Sequence, residues 1–230
     1  MLLHGTETHI HGALLFQSNV HIENSLFYGN TSDDNHAGVI GLQPFWWSEN
    51  SVDGLNGISS LVNNTFGPGS EQKQLFIMHG YESGAEYNIY NNIFSRSGSI
   101  SESSIAVEIL SPNKLWANNN LFESGVTAYN ADGSIEIIGT ESDLVGDARF
   151  RNIGQNDYSL LFNSPAIDAG ITEIENNLNA PKEDIRGFYR VGSVDIGAFE
   201  FGASKYLLSL NDDCSTCQTI SGNRDTTFVN

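Results

Sequence analysis

The sequence predicts an all-β fold, a parallel β-helix (β-solenoid) of about five coils. A motif recurs through the first two thirds of the 230 residues with a period near 28 residues, which is typical of solenoid coils. Short runs of β-forming residues alternate with turns, and no stretch sustains the helical period of about 3.6 residues. Turn-forming residues are also abundant, with 25 Asn and 23 Gly.

The recurring motif combines an apolar residue, an asparagine two positions later and a phenylalanine three positions after that. It occurs as HIENSLF (21–27), SLVNNTF (60–66), NIYNNIF (88–94) and WANNNLF (116–122). The aligned residues, spaced by 39, 28 and 28 positions, are Asn24, Asn63, Asn91 and Asn119, and Phe27, Phe66, Phe94 and Phe122. Equivalent residues of successive coils stack about 4.8 Å apart. We therefore expect an asparagine ladder at the corners and a phenylalanine stack inside, with an asparagine-rich β-sandwich as the alternative fold.

Further strands are predicted between the copies of the motif. They lie at residues 39–42, 75–78, 105–109 and 135–138. Residues 1–142 therefore form the coils, each with two or three short strands. The first strand, predicted at residues 8–16, follows Met1 closely and leaves no room for an N-terminal cap. Three interpretations stay open: coils are missing upstream, another element or subunit covers this end, or the uncapped coil self-associates.

Residues 143–201 break the repeat and carry two motifs. The first is SPAIDAG at 164–170, and the second comprises Asp184, Gly187, Arg190 and VDIGAFE at 194–200. They resemble the C-terminal segment of right-handed parallel β-helix proteins of the pectin-lyase-like kind, often labelled choice-of-anchor Q. The resemblance covers roughly residues 9–201 and departs from the family at Tyr189, where proline is usual. It implies right-handed coils in a secreted or cell-surface bacterial protein. The family includes lyases, hydrolases and adhesins, so no single activity is implied.

The C-terminal part of the chain is predicted to divide into a cap and a tail. A solenoid ends in an open strand edge, and we expect residues 143–201 to cover it, with Arg190 paired to a nearby carboxylate. Residues 202–230 are predicted to be a tail or linker. Its Cys214 and Cys217 fit a small disulfide or two free thiols, because the second cysteine pair of a zinc ribbon is missing.

The charge balance restricts the partners. Lys and Arg total 10 against 28 Asp and Glu, a net charge of −18, which excludes nucleic acid because phosphate binding needs clustered cations. Within residues 20–139 the cationic side chains are Lys73, Arg96 and Lys114. A polyuronate lyase is therefore disfavoured unless calcium bridges protein and polymer. No apolar run approaches the ~20 residues of a transmembrane helix, and no signal-peptide pattern is present.

Carbohydrate-binding residues are predicted at two places. The 39-residue spacing contains an insertion with Trp46, Trp47 and Glu49, and aromatic faces stack on sugar rings while carboxylates bind hydroxyl groups. Folding of this insertion as a lid over the coils is the alternative. Strand alternation places His21, Ser60, Asn88 and Trp116 in one outward row, and Glu23, Val62, Tyr90 and Asn118 in another. Tyr90 and Trp116 would form a two-ring platform, or else belong to a mixed solvated face.

Catalytic residues and metal ligands are not assigned. The loop at 79–86 collects a histidine, a tyrosine and two carboxylates suited to acid–base catalysis, a composition that ordinary surface loops share. Residues 33–35 offer too few ligands for calcium, and His9 and His11 lack a third metal ligand. No cofactor is predicted, and calcium is left open. The predicted function is carbohydrate interaction, with a structural or adhesive β-solenoid and a glycoside hydrolase or polysaccharide lyase fragment as alternatives.

Overall fold

The computed structural model describes residues 2–4, 7–8, 14–16, 19–32, 39–42, 57–68, 73–77, 86–95, 104–109, 114–131 and 135–203. Their secondary structure consists of β-strands and three short 3-10 turns, at residues 140–142, 153–155 and 175–177. No α-helix occurs in these ranges, and none of their helical turns has the length and apolar character to cross a membrane. The protein is all-β, as predicted.

Three parallel sheets contain most of the strands. The strands in chain order are β1 (Leu2–His4), β2 (Glu7–Thr8), β3 (Leu14–Phe16), β4 (His21–Glu23), β5 (Leu26–Tyr28), β6 (Thr31–Ser32), β7 (Ile40–Leu42), β8 (Ile58–Val62), β9 (Thr65–Phe66), β10 (Lys73–Ile77), β11 (Glu86–Tyr90), β12 (Ile93–Phe94), β13 (Ser104–Ile109), β14 (Lys114–Asn118), β15 (Leu121–Phe122), β16 (Val126–Ala131), β17 (Glu136–Ile138), β18 (Leu144–Val145), β19 (Phe150–Asn152), β20 (Asp157–Leu160), β21 (Glu173–Ile174) and β22 (Leu178–Asn179). Sheet 1 has the order β1-β5-β9-β12-β15-β18, sheet 2 the order β3-β7-β10-β13-β16, and sheet 3 the order β4-β8-β11-β14-β17. Three two-stranded pairs, β2-β6, β19-β20 and β21-β22, complete the topology.

The strand register shows that neighbouring strands come from successive repeats. In sheet 1, Phe27 pairs with Phe66, Phe66 with Phe94, and Phe94 with Phe122. The chain passes through sheet 3, sheet 1 and sheet 2 before it returns to sheet 3, and we call one such passage a coil. Strands β4–β7, β8–β10, β11–β13 and β14–β16 make four complete coils. This strand order is consistent with a β-solenoid.

The interior of the coils contains the predicted phenylalanine stack. Ring centroids are 5.0 Å apart between Phe27 and Phe66, 4.9 Å between Phe66 and Phe94, and 5.3 Å between Phe94 and Phe122. The rings are nearly parallel, and Tyr129 closes the column with an edge-on contact at 5.4 Å. All four phenylalanines are buried, within a core of aliphatic residues from the three sheets. The prediction of a stacked aromatic interior is confirmed.

The motif asparagines form the corners of the coils. Asn24, Asn63, Asn91 and Asn119 have φ values of 46°, 53°, 57° and 53°. This left-handed backbone conformation is costly for most side chains, and asparagine tolerates it best after glycine. The corner role was predicted correctly.

The asparagine ladder lies one residue further along the chain than predicted. It contains Asn64, Asn92 and Asn120, with Asp143 as its last rung. Each amide donates to the next Oδ1, at 3.0 Å from Asn64 to Asn92, 3.1 Å from Asn92 to Asn120, and 3.2 Å from Asn120 to Asp143. The corner asparagines contribute one such bond, from Asn91 to Asn63 at 3.1 Å. Their side chains leave the coil because a left-handed residue reverses the direction in which Cβ points.

The corner asparagines instead bind the C-terminal part of the chain, residues 146–203, which we call the flank segment. Each amide nitrogen donates to a backbone carbonyl of this segment at 2.6–2.9 Å, in the pairs Asn24–Glu183, Asn63–Asp195, Asn91–Ile171 and Asn119–Ala169. The four bonds tie one segment to four successive coils.

The flank segment lies along the side of the coils, and the cap expected over the open strand edge stays a prediction. Tyr158 packs on Tyr28 of the first complete coil, with ring centroids 5.0 Å apart. Ile93 and Leu121 of sheet 1 belong to the same buried cluster as Tyr158. The predicted boundary at residue 142 also moves, because β18 still pairs with β15 and extends the coils to Val145.

A buried polar network holds the flank segment together. Arg190 pairs with Glu200 at 3.0 Å, and both side chains are almost fully buried, which confirms the predicted ion pair. Arg190 also donates to Oδ1 of Asn24 at 2.8 Å. The carboxylate of Asp195 accepts backbone N–H groups of Asp168 and Phe201 at 2.7 and 2.5 Å. These residues of the second C-terminal motif therefore have a structural role.

Candidate functional site

The outward face of sheet 3 gathers polar and aromatic side chains in one place. The register pairs His21 with Ser60, Ser60 with Asn88, and Asn88 with Trp116. These four residues form the predicted outward row, which we call the His21 row. Neighbouring strands of a sheet are about 4.8 Å apart, so each residue of the row lies directly beside the next in the register.

Tyr90 is part of a buried cluster and not of an open platform. It is 4% exposed and packs with Val62 of sheet 3 and Ile174 of the flank segment. Burial, with smaller contributions from the carboxylates of Glu175 and Asp143, raises the pKa of Tyr90 to about 12. The predicted two-ring platform is therefore wrong at Tyr90, because the flank segment covers this part of the sheet.

Trp116 is half-buried and has a cation on its ring. The Lys114 ammonium lies 4.4 Å from the ring centroid, within the range of a cation–π interaction. Lys114 is flanked in the register by Glu86 and Glu136 on the neighbouring strands. An aromatic ring, an ammonium and two carboxylates therefore share this part of the face.

Two buried donors in the His21 row lack acceptors among the described residues. Nε1 of Trp116 and Nδ2 of Asn88 are shielded from water and have no hydrogen-bond partner among the residues that the structure describes. The other end of the Asn88 amide, Oδ1, accepts from Asn176 of the flank segment at 3.3 Å. A buried polar group without a partner costs about 1–3 kcal/mol. An acceptor that reached either nitrogen would recover part of this cost.

The other end of the row forms a chain of hydrogen bonds. Nδ1 of His21 lies 2.5 Å from Oγ of Ser60, and Nε2 of His21 lies 3.1 Å from Oε2 of Glu23. An ionised carboxylate can only accept, so in the neutral imidazole Nε2 carries the proton. Nδ1 then has a free lone pair that accepts the hydroxyl hydrogen of Ser60. Ser60 is 4% exposed, whereas the side chains of His21 and Glu23 are both 44% exposed.

The bond between His21 and Glu23 did not appear among the sequence predictions. Its signal in the sequence is a histidine and a glutamate two positions apart on one strand, which places both side chains on the same face. The 39-residue spacing then brings Ser60 beside His21.

The remaining predicted site residues lie outside the described residues. This applies to Trp46, Trp47 and Glu49 of the insertion, and their role in carbohydrate binding stays a prediction. It also applies to His9 and His11, residues 33–35 and 79–85, and the tail cysteines. Among the described residues, no group of three or more His, Cys, Asp or Glu side chains could hold a metal ion.

Comparison with known proteins adds no relative. No family model matches the sequence, no curated protein matches it, and no solved structure matches the fold.

Proposed function

We propose that the protein is a right-handed parallel β-helix, secreted or held at the cell surface, that binds carbohydrate on the outward face of sheet 3. The observation that supports this proposal is the half-buried Trp116, because its own Nε1 and Nδ2 of the neighbouring Asn88 are buried donors without acceptors among the described residues. Sugar binding needs an aromatic face together with a few fixed polar groups. This part of sheet 3 supplies both on a rigid scaffold.

Each group has a defined role in this proposal. The Trp116 ring stacks on the apolar face of a sugar, in the position that Lys114 now occupies. The carboxylates of Glu86 and Glu136, which are neighbours of Lys114 in the register, accept hydroxyl hydrogens. Nδ2 of Asn88 donates to a hydroxyl oxygen. Trp46, Trp47 and Glu49 are predicted to add to the same interaction.

The proposed ligand is a neutral glycan. The chain carries a net charge of −18, and such a field repels polyuronates at low salt. Lys114 is flanked by two carboxylates and offers no surplus of positive charge on this face. Calcium, which could bridge an acidic protein and an acidic polymer, stays an alternative to be tested.

The test compares two aromatic variants of the full chain. Wild type, Trp116→Ala and the control Phe162→Ala are applied to an array of neutral and acidic glycans, with calcium and with a chelator. Phe162 is a suitable control because it is aromatic, 79% exposed and located on the flank segment. We expect binding to neutral glycans that Trp116→Ala lowers at least tenfold and Phe162→Ala leaves unchanged. Equal binding by wild type and Trp116→Ala would reject the site.

A structural or adhesive β-solenoid is the second candidate. It is favoured by the burial of Tyr90 and by the Lys114 ammonium on the Trp116 ring, because both reduce the aromatic surface that a sugar could use. In that case the array shows no binding. Sedimentation velocity would then show concentration-dependent self-association.

A further inference from the structure

We propose that Ser60, His21 and Asn88 form a catalytic site for the hydrolysis of small acyl esters, with Glu23 as a positioning residue. The site lies in the His21 row, on the outward face of sheet 3. It consists of a nucleophile, a general base and a hydrogen-bond donor for the oxyanion, contributed by three successive strands.

The nucleophile and the base are in contact. Oγ of Ser60 lies 2.5 Å from Nδ1 of His21, within the distance at which a general base takes a hydroxyl proton. A serine hydroxyl is a weak nucleophile by itself and becomes reactive when an adjacent base removes its proton. The backbone holds the pair rigidly, because His21 and Ser60 are register partners on β4 and β8.

Glu23 selects the tautomer that the base needs. Its Oε2 lies 3.1 Å from Nε2 of His21, which keeps the imidazole proton on that nitrogen and leaves Nδ1 free to accept. A carboxylate that orients the base in this way also stabilises the imidazolium formed during the reaction. The order of the two ring nitrogens is inverted relative to the chymotrypsin arrangement, while the roles of the three groups are the same.

Asn88 supplies the donor for the oxyanion. It is the partner of Ser60 on the next strand, it is 0% exposed, and its Nδ2 has no acceptor among the described residues. The ladder amides of Asn64, Asn92 and Asn120 differ from it, because each donates to an acceptor. A fixed, desolvated donor beside the nucleophile is the arrangement that stabilises a tetrahedral intermediate.

The reaction balances without a cofactor. The Ser60 oxygen bonds to the ester carbonyl carbon while His21 Nδ1 takes the hydroxyl proton, and the carbonyl oxygen becomes an oxyanion that accepts from Asn88. The intermediate collapses, the bond to the alkoxy oxygen breaks, and the leaving alcohol takes the proton from His21. Water then attacks the acyl-serine with His21 again as base, which releases a carboxylic acid and restores Ser60. One ester and one water give one acid and one alcohol.

The substrate class rests on the proposed function. Trp116 follows Asn88 in the same row, so a sugar ring stacked there would bring an O-acyl substituent towards Ser60. Ser60 is 4% exposed, and a nucleophile with so little exposed surface favours an acetyl group over a long acyl chain. The proposed natural substrate is therefore an O-acetylated neutral glycan.

The experiment measures ester hydrolysis and covalent labelling on the full chain. Wild type and variants react with p-nitrophenyl acetate and with a fluorophosphonate, which bonds to an activated serine oxygen and releases fluoride. We expect labelling of Ser60, identified by peptide mass spectrometry. Turnover should fall roughly 100-fold or more in Ser60→Ala and His21→Ala and stay unchanged in the control Ser193→Ala, an exposed serine on the flank segment. The His21 side chain is 44% exposed, far more than Ser60, so His21→Ala keeps the test valid even where Ser60→Ala lowers stability.

Two further variants separate positioning from folding. Glu23→Gln should lower kcat at least tenfold with little change in KM, and Glu23→Asp should restore part of kcat. Asn88→Ala should lower turnover roughly 100-fold while the fluorophosphonate still labels Ser60. Turnover by Ser60→Ala equal to wild type, or no preferential labelling of Ser60, overturns the proposal.

The outcome is distinguishable from failure of carbohydrate binding. p-Nitrophenyl acetate carries no sugar, so its hydrolysis tests the esterase independently of glycan binding, and Trp116→Ala should lose more activity on acetylated polysaccharide than on p-nitrophenyl acetate. Labelling of Ser60 together with an empty glycan array would support the ester hydrolase and reject the glycan. Glycan binding without Ser60 reactivity would do the reverse.

Discussion

Exchanging Asn92 for aspartate replaces the donors of one ladder rung with an acceptor of nearly the same shape. In the structure, Nδ2 of Asn92 donates to Oδ1 of Asn120 and to the carbonyl oxygens of Leu61 and Tyr90, at 3.1, 3.0 and 2.9 Å. Its Oδ1 accepts the backbone and amide N–H groups of Asn64, both at 3.0 Å. An aspartate at this position keeps the accepting Oδ1. Its second carboxylate oxygen, however, replaces Nδ2 and faces the three oxygens that Nδ2 binds in the wild type.

The expected cost follows from burial. Asn92 is 0% exposed, and an uncompensated charge at a buried site costs about 3–5 kcal/mol. We therefore expect Asn92→Asp to lower the free energy of unfolding by about 4 kcal/mol at neutral pH. The opposite exchange, Asp143→Asn, should cost less than about 1 kcal/mol, because the new amide keeps the oxygen that accepts from Asn120. Tyr129, which now donates to Oδ2 of Asp143 at 2.7 Å, can rotate its hydroxyl to accept.

Urea unfolding followed by tryptophan fluorescence and by circular dichroism measures both values. The two variants exchange the same pair of residue types in opposite directions on one ladder, so each controls for the other. A loss below about 1 kcal/mol in Asn92→Asp, or equal losses in the two variants, would refute the assignment of donor and acceptor direction along the ladder.

Three further predictions concern the flank segment. Burial raises the pKa of Asp195 to about 7 from 3.8, so its stabilising contribution is complete below pH 3.8 and is lost as the pH rises towards 7. Asp195→Asn should remove this pH-dependent loss, on the order of 4 kcal/mol, in urea unfolding measured from pH 4 to 8. A Cβ at Gly197 would lie 2.6 Å from Cδ1 of Ile93 at a φ of +97°, so Gly197→Ala should cost roughly 1–3 kcal/mol and expose the flank segment to limited proteolysis. Arg190→Ala leaves Glu200 buried without its partner and should cost about 3–5 kcal/mol in thermal unfolding, without selective loss of ligand binding.

Matched variants control these measurements. A Cβ at Gly146 meets its nearest atom at 3.7 Å, so Gly146→Ala should be near neutral where Gly197→Ala is not. The double variant Arg190→Met with Glu200→Leu removes both charges and should recover part of the loss of Arg190→Ala. A pH slope that persists in Asp195→Asn, or normal stability with abolished ligand binding in Arg190→Ala, would contradict the structural role of the network.

The stacking of the coils could be predicted because its determinants are local or periodic. Left-handed corners favour asparagine or glycine at defined positions. The 39-residue spacing from Phe27 to Phe66 corresponds to the pairing of these two residues on neighbouring strands. The fifth copy of the motif was hidden, because Asp143 replaces the ladder asparagine. The strand Val126–Ala131 was also missed, although it pairs with β13 in sheet 2.

The ladder was assigned to the wrong column because two asparagines stand side by side in three of the four motif copies. In the first copy Ser25 replaces the ladder asparagine, so the alignment favoured the column that starts at Asn24. The backbone N–H of Ser25 nevertheless donates to Oδ1 of Asn64 at 3.0 Å. The φ value of the corner residue decides which of the two adjacent asparagines turns outward. The spacing of the motif copies does not reveal this φ value.

The candidate site could be predicted as a row but not in its surroundings. Strand alternation correctly placed His21, Ser60, Asn88 and Trp116 together, since it depends only on register. The same alternation predicts that Tyr90 faces outward, but it does not predict which segment covers Tyr90. Ile174 comes from a segment 84 residues later, whose docking has no periodic signal.

The hydrogen bonds between the corner asparagines and the flank segment also bear on how the chain folds. Coils pair residues about 28 positions apart, whereas the bond from Asn24 to Glu183 spans 159 positions. Contacts of short sequence separation form first on average, because long loops cost more entropy to close. The flank segment should therefore dock last. In a coil shifted by one residue, the corner asparagine would no longer be in position to donate to the flank segment. Final docking then acts as a check that four coils have assembled in register.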